Sequence, residues 1–344
     1  MDFSIFLFLF QDGVLTGAIY ALIGVAFVLI FTVTRVIFIP QGDLVAFSAL
    51  TLIALKDGHI PGSVWLLLAS GLGAGLVELI AARARLSRRK LMNISLWNVV
   101  LPAGLALVAV FAARHDIGDV GRALLSIALV APLGPYVYQI AFRPLGDASV
   151  LVLLIAAVGV HWLMIGLGLA FFGAEGFRAE PFIDANFDLG PLLVSGQSIL
   201  ILLAVAVVMI GLYMIAERTL LGKALQASAI DERGARLVGI SPQGSGSLAF
   251  LLASFIGAVS GVLVASTTTI YFDSGFLIAL KGFVAAIVGG FASYPLAVAS
   301  AFFVGLSESF ASFWASALKE VIVFSLILPV LFFRSFSTSH AERD

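Results

Sequence analysis

The long apolar runs constrain this chain more than any motif it carries. Residues 5–34, 62–82, 149–173, 197–216 and 245–268 are nearly uncharged and continuous in Ala, Leu, Val, Ile and Gly. About 20 such residues in a helix cross a hydrocarbon core roughly 30 Å thick. In that core, backbone polar groups must be satisfied within a helix or a closed barrel. Barrel strands alternate apolar and polar residues with a period of two; these runs do not, so they are predicted to be helices. At 61% hydrophobic and 11% charged residues, with mean hydropathy +1.13, no stretch of the 344 residues is polar enough for a soluble domain. The expected fold class is all-α: a polytopic transmembrane helix bundle making one domain over 1–344. The formal net charge of −1 selects no partner, and nucleic acid is not expected as one. The absence of cysteine excludes disulfides and thiolate metal sites. Met-Asp-Phe-Ser at the start lacks the cationic region of a cleavable signal, so the first run is expected to stay as a helix.

Eleven apolar segments are read, near 5–34, 43–56, 62–82, 94–113, 122–142, 149–173, 197–216, 245–268, 276–290, 295–314 and 319–334. They imply about 9–11 spanning or partly spanning helices. Alternating them puts most of the 19 Lys and Arg on one side: Arg35, Arg83, Arg85, Arg88, Arg89, Lys90, Arg143, Arg218, Lys223, Arg233, Arg236, Arg334 and Arg343. The opposite loops carry Asp57, Asp116, Asp119, Glu175, Glu180, Asp184 and Asp188. Cation-rich loops stay cytoplasmic, so the N-terminus is expected outside and the C-terminus in the cytoplasm.

Two segments are short. Residues 43–56 are entered through Ile39-Pro40-Gln41-Gly42-Asp43; residues 276–290 are entered through Tyr271-Phe272-Asp273-Ser274-Gly275 and left through Gly289-Gly290. Interrupted helices in comparable positions of two halves often mark a transport pathway. Gln41, Gly42, Asp43, Lys281, Gly289 and Gly290 are therefore the candidate pathway residues, with ordinary helix ends as the alternative. The outer loop 174–196, with Phe177, Phe182 and Phe187, suits either an interfacial docking element or a solvated connector. Gly13/Gly17, Gly71/Gly75 and Gly257/Gly261 predict close helix approaches.

One stretch breaks the apolar pattern. Glu217 to Pro242 holds Glu217, Arg218, Lys223, Asp231, Glu232, Arg233 and Arg236, too polar to span a bilayer and too helix-like for a slack loop. Asp231 can cap a second short helix that Gly239 and Pro242 stop. Ala224, Leu225, Ala227, Ala235, Leu237 and Val238 leave one face able to press on another surface.

Enzyme motifs are missing. There is no H-E-x-x-H, and His59, His115, His161 and His340 include no pair at metal-ligand spacing. Gly257 to Gly261 lacks the spacing of a nucleophile elbow. Gly222-Lys223 is followed by Ala224, with Glu217 where a P-loop needs its earlier glycine, so this is no ATP site. The ionisable groups inside apolar segments are Glu78, His161, Lys281 and Glu308, costly in lipid and hence functional candidates. Glu78 can reach the interface, His161 can serve as a neutral hydrogen-bonded core residue, and Lys281 and Glu308 can pair.

Four passages resemble the permease subunits of branched-chain amino acid ABC importers, the LivH/LivM type. They are Leu15 to Gly24 with Gln41-Gly42-Asp43; Ala141-Phe142-Arg143-Pro144-Leu145 running into Leu154 to Val160; Gly222-Lys223-Ala224 with Ala227, Ala235 and Gly239-Ile240; and Leu280 to Gly290 followed by Tyr294-Pro295. The last is the most specific. Two features depart from the family. Phe38 or Ile39 replaces a polar Asn before Gly42-Asp43, which bears on substrate choice. Residues 86–139 look like an inserted helical hairpin, expected as lipid-facing decoration.

The resemblance implies a membrane-spanning permease of an ATP-driven importer, not an enzyme, in a bacterial-type inner membrane. It implies two ATP-binding cassette subunits, a second permease (a copy or a different chain) and an extracytoplasmic substrate-binding protein. No cofactor is expected on this chain; ATP and Mg would belong to the ATPase partner. Residues 217–243 become the coupling segment, with Gly222, Lys223, Ala224, Ala227, Asp231, Arg233, Arg236, Gly239 and Ile240 as its residues. A stand-alone ion-coupled carrier of a small polar solute is the competing reading, weakened by the scarcity of buried acids.

Overall fold

The computed structural model describes residues 2–81, 88–146, 148–190, 192–291 and 293–332. The chain is 81% helical, as the continuous apolar runs require. Its helices are α1 (Phe3–Thr34), α2 (Gln41–Lys56), α3 (Ser63–Ala81), α4 (Arg88–Ser95), α5 (Leu101–Arg114), α6 (Gly118–Val130), α7 (Leu133–Val137) and α8 (Val150–Phe172). There follow α9 (Gly196–Arg218), α10 (Leu220–Ile230), α11 (Glu232–Leu237), α12 (Pro242–Val264), α13 (Ser274–Val288), α14 (Tyr294–Trp314) and α15 (Lys319–Ser325). A π-helical turn at Leu96–Val100 joins α4 to α5, so that one continuous span runs over Leu91–Arg114. Another runs over Gly118–Leu145. Among the described residues, eight helices are long and apolar enough to cross a membrane. The two short segments are short in fact: α2 has 16 residues and α13 has 15. Arg83, Arg85, Arg334 and Arg343 lie outside the described residues.

The 174–196 loop holds the one β-hairpin among the described residues. β1 (Asn186–Leu189) and β2 (Leu192–Ser195) form an antiparallel hairpin with Asn186 opposite Ser195. It leads directly into α9.

Contacts divide the chain into two compact units. Residues 29–182 and 211–276 make one, built around α2. Fourteen of the sixteen α2 residues are buried, so the helix has no polar face to show. α12 lies along it because Gly257 and Gly261 have no side chain there. A Cβ on Gly261 would fall on the Val45 carbonyl oxygen, and one on Gly257 would lie 2.8 Å from Gln41 Nε2. Ser48 Oγ donates to the Ala258 carbonyl at 2.8 Å, and Ser126 Oγ donates to the Ser48 carbonyl at 2.7 Å. These bonds tie α2 to α12 and to α6. Gly71 likewise brings α3 against the Asn98 backbone.

The structure corrects one expectation here. The first arm of the 86–139 hairpin is largely exposed, but the second is core rather than lipid-facing decoration. α6 buries Leu125, Ser126, Leu129 and Val130.

Residues 1–28, 183–210 and 277–344 make the other unit. Its core joins Tyr20, Ala21, Val284, Ala285, Ala301, Val304 and Val323. Gly13 and Gly17 meet α14, where a Cβ on either would press on the backbone of Leu306 or Phe302 at 2.8 Å.

The packing of α2 against α12 is testable. Gly261→Val is expected to force the two helices apart and destabilise the chain by about 1–3 kcal/mol. Thermal unfolding in detergent should show a lowered midpoint; an unchanged midpoint would mean the close approach carries no weight.

Candidate functional site

The start of α2 is a polar site without solvent. Gln41 and Asp43 are 0% and 1% exposed, and Gly42 is buried between them. Gln41 Nε2 donates to the Ala253 carbonyl at 2.8 Å. Asp43 Oδ2 lies 2.8 Å from His161 Nδ1, and the His161 ring stacks on Phe276 with centroids 4.8 Å apart. A Cβ on Gly275 would fall on the Gly42 carbonyl, so the first turn of α13 touches the first turn of α2. The entrances of both short helices therefore meet. Two acceptors remain over: Gln41 Oε1 and Asp43 Oδ1 are buried with no hydrogen-bond partner among the described residues. Buried polar atoms are nearly always paired, so leftover acceptors single this place out.

Phe38, one of the two apolar residues noted just before Gly42-Asp43, is fully buried. It packs on Phe142 and Phe250 with centroids 5.9 and 4.8 Å away. The departure seen in the sequence thus puts aromatic packing just before this polar site.

Lys281, Gly289 and Gly290 lie in the other unit. Lys281 Nζ is 2.5 Å from Glu308 Oε1 and 3.1 Å from Glu320 Oε1. Tyr20 Oη donates to Glu308 Oε2 at 2.6 Å. The pairing of Lys281 with Glu308 was readable as a possibility; Glu320 and Tyr20 were missed, since neither spacing nor composition points to them. Gly289 and Gly290 end α13. Gly290 has φ +83, and Phe291 N–H closes on the Ala286 carbonyl at 2.9 Å, a left-handed helix stop. Glu78 accepts from Asn98 at 3.3 Å and lies 4.0 Å from Arg143.

The segment 217–243 is two short helices folded back under α9 and α12. Thr219 Oγ1 caps α10 by accepting from Gly222 N–H at 3.0 Å. A Cβ on Gly222 would fall on the Ile215 carbonyl, so this turn admits only glycine. Asp231 caps α11, Oδ1 accepting from Arg233 N–H at 2.9 Å. Gly239 stops α11 at φ +86, with Ile240 N–H on the Ala235 carbonyl and Gly239 N–H on the Arg236 carbonyl. Lys223 bonds Glu217 at 3.0 Å and Arg236 bonds Glu232 at 2.6 Å. Arg233 is exposed and makes no ion pair among the described residues.

The two faces of this segment differ from the sequence expectation. Gly222, Leu225, Ser228 and Ala235 face inward, Leu225 packing with Leu29 and Ala249, and Ser228 Oγ donating to Ser245 at 2.8 Å. Ala224 and Ala227 are half-buried. Leu237 and Val238, expected beside Ala235, instead stand 89% and 75% exposed, together with Leu220 at 90% and Ile230 at 86%. The helix of α11 is too short for one apolar stripe, and the left-handed turn at Gly239 swings its end outward.

Loop charges separate within the larger unit. Arg35 after α1, Arg143 in the last turn of the Gly118–Leu145 span and Arg236 of α11 line one common cavity. At the other end of α2, Lys56 bonds Asp119 at 3.3 Å and the Glu180 carbonyl at 3.2 Å, while Arg122 bonds Asp116 and Asp119. Three of the cations that alternation assigned to one side, Arg35, Arg143 and Arg236, therefore lie together.

A helical bundle with two interrupted helices meeting at a buried polar site, and a capped polar helix pair at one face, defines a multi-pass membrane transport subunit. The chain belongs to the family described as the branched-chain amino acid transport system / permease component, whose sequence model matches residues 86–331. It is thereby a permease subunit of the ABC-importer kind. It is 25% identical to the high-affinity branched-chain amino acid transport system permease protein BraD of Pseudomonas aeruginosa, over 94% of this chain and 92% of that protein. It is 26% identical to the corresponding LivH protein of Escherichia coli K12, over 60% of this chain and 69% of that one. The solved structure of PsaBC from Streptococcus pneumoniae in complex with Fab superposes with a TM-score of 0.37 at 10% identity, covering 93% of this chain and 90% of that one.

The Lys281 cluster carries a stability prediction. Lys281→Met leaves Glu308 buried without its cation and is expected to cost about 3–5 kcal/mol. Adding Glu308→Leu should restore most of the loss. Thermal melts of the single and double variants decide; a double variant as unstable as the single would show that the pair is not what Lys281 supports.

Proposed function

We propose that this chain is half of the pore of an ATP-driven importer for branched-chain amino acids or related small amino acids and amides. Its other half is a second permease subunit, a copy or a different chain. Two ATP-binding cassette subunits dock on segment 217–243, and an extracytoplasmic substrate-binding protein delivers the solute. ATP and Mg are held by the ATPase, and this chain performs no chemistry itself. The cation-rich face is cytoplasmic in a bacterial-type plasma membrane, with the N-terminus outside, by the rule that Lys and Arg loops stay inside.

The observation that carries this reading is the outward face of the coupling segment. Leu220, Ile230, Leu237 and Val238 are exposed on helices whose inner face is locked by Leu225, Ser228 and Ala235. Large apolar side chains on a rigid polar-flanked element mark a contact surface. Movement of a docked ATPase would reach α9 through the Gly222 turn and α12 through the Ser228–Ser245 bond. ATP binding and hydrolysis then shift the pore between arrangements by differential affinity for the two.

The pathway is assigned to the start of α2. The unpaired acceptors Gln41 Oε1 and Asp43 Oδ1 suit the ammonium group of an amino acid, and the Asp43–His161 contact holds the carboxylate in place. Lys281, Gly289 and Gly290 are proposed separately, as pathway residues on the second short helix within their own unit. The competing reading is a stand-alone ion-coupled carrier using the Asp43–His161 pair. Uptake by the chain alone in proteoliposomes, driven by a cation gradient without an ATPase, would establish that reading and overturn the importer. Copurification of the complex and binding measurements on its substrate-binding protein test the importer directly.

A variant isolates the coupling step. Gly239→Val forces a β-branched residue into a left-handed conformation, at roughly 1–2 kcal/mol, and should dislodge Leu237 and Val238. Substrate-stimulated ATP hydrolysis and uptake, measured together in the reconstituted complex, are expected to become uncoupled. Full retention of both would remove the coupling assignment from α11.

A further inference from the structure

The cavity at the cation-rich face has a chemistry that the transport reading does not use. It is an open cleft of about 340 Å³, near the low end of small-molecule pockets. Its walls come from the end of α1, the turn after Tyr138, the ends of α10 and α11, and the start of α12. Three guanidinium groups line it, Arg35, Arg143 and Arg236, against one carboxylate, Glu232.

Arg236 and Glu232 satisfy each other at 2.6 Å, which leaves Arg35 and Arg143 to set the sign of the cavity. Arg143 has Glu78 as its carboxylate, at 4.0 Å, and Glu78 also accepts from Asn98. Arg35 makes no ion pair among the described residues; its guanidinium sits 5.9 Å above the Phe31 ring. The backbone holds Arg35 at φ +59, a left-handed conformation that non-glycine residues rarely keep. Tyr138 also lines the cavity, and its hydroxyl, packed beside Gly246, makes no hydrogen bond among the described residues. An arginine after α1 answers the negative end of that helix dipole. That does not account for a second guanidinium and a free phenol brought to the same cavity from another span.

We propose that this cavity binds a phosphate-bearing anion, bridging Arg35 and Arg143 with Tyr138 as a further donor. Arginine forks match phosphate oxygens in geometry and charge. The walls are the ends of apolar spans, so the site lies at headgroup depth, where a phospholipid headgroup and a soluble phosphate are both available. Because Ser228, Ile230 and Glu232 line the same cavity, an anion here would brace the segment 217–243 against the end of α1. The site stands on these residues whether or not the segment contacts an ATPase.

The test uses the full-length chain in neutral detergent, with thermal unfolding and native mass spectrometry as readouts. One arm titrates phosphatidylglycerol against phosphatidylcholine. The other titrates inorganic phosphate against chloride at matched ionic strength. Saturable stabilisation by phosphatidylglycerol alone would identify a lipid headgroup; saturation by inorganic phosphate would identify a soluble anion. In either case Arg35→Gln and Arg143→Gln should weaken binding about tenfold. Arg35→Lys, which keeps the charge but loses the fork, should bind more tightly than Arg35→Gln and less tightly than wild type. Arg114→Gln, at an exposed arginine at the far end of α5, should change nothing. Arg35→Gln alone keeps the test decisive if Arg143→Gln does not fold, since Arg35 is exposed and unpaired. No saturable effect of either probe, or wild-type affinity in Arg35→Gln, overturns the proposal.

Discussion

α2 has almost no surface of its own, and the larger unit depends on how its neighbours hold it. Sixteen residues of helix rise about 24 Å, short of a bilayer core of roughly 30 Å. Such a helix is stable only when enclosed by protein, because its unpaired terminal groups cannot face lipid. Gly257 and Gly261 let α12 lie against it, Ser48 bonds that same helix, and Ser126 ties α2 to α6. The same enclosure creates the polar site. Gln41 and Asp43 can sit without solvent only because Ala253 and His161 meet part of their hydrogen-bonding demand.

The two buried ionic clusters solve the problem of charge in a bundle in different ways. Lys281 meets two carboxylates, and Glu308 is bonded through both oxygens, by Lys281 and by Tyr20. That arrangement reads as a fastening between α1, α13, α14 and α15. Asp43 meets a histidine through one oxygen and leaves the other without a partner. An open acceptor can take a ligand donor without breaking anything already made, while a closed network must first be broken. The proposed pathway role therefore rests more firmly on Asp43 and Gln41 than on Lys281.

Much of the bundle was legible because membrane solvation is so demanding. The long runs had to be helices, and Pro40, Gly42, Gly289 and Gly290 punctuated the two short ones. The caps at Asp231 and Gly239 were legible because capping is local chemistry. Three things were not. The Asp43–His161 pairing joins residues 118 positions apart, and no local pattern reports it. The burial of the second hairpin arm depends on Ser126 finding the Ser48 carbonyl, a tertiary fact. Leu237 and Val238 changed face because a six-residue helix ending in a left-handed turn does not extend the stripe of its neighbour.

Those two displaced side chains bear on how the coupling segment would work. Had Leu237 and Val238 packed inward with Ala235, α11 would present only charged and polar groups at the surface and the apolar area would shrink to Leu220, Leu221 and Ile230 of α10, with exposed ion pairs contributing little. Turned outward, they supply apolar area, while Leu225, Ser228 and Ala235 keep the segment joined to the bundle. A transmitting element needs both attachments at once: an outer face that a partner can hold, and an inner face that does not give. The φ +86 turn at Gly239 separates the two, and it places the outward leucine and valine next to the helix stop that fixes their direction.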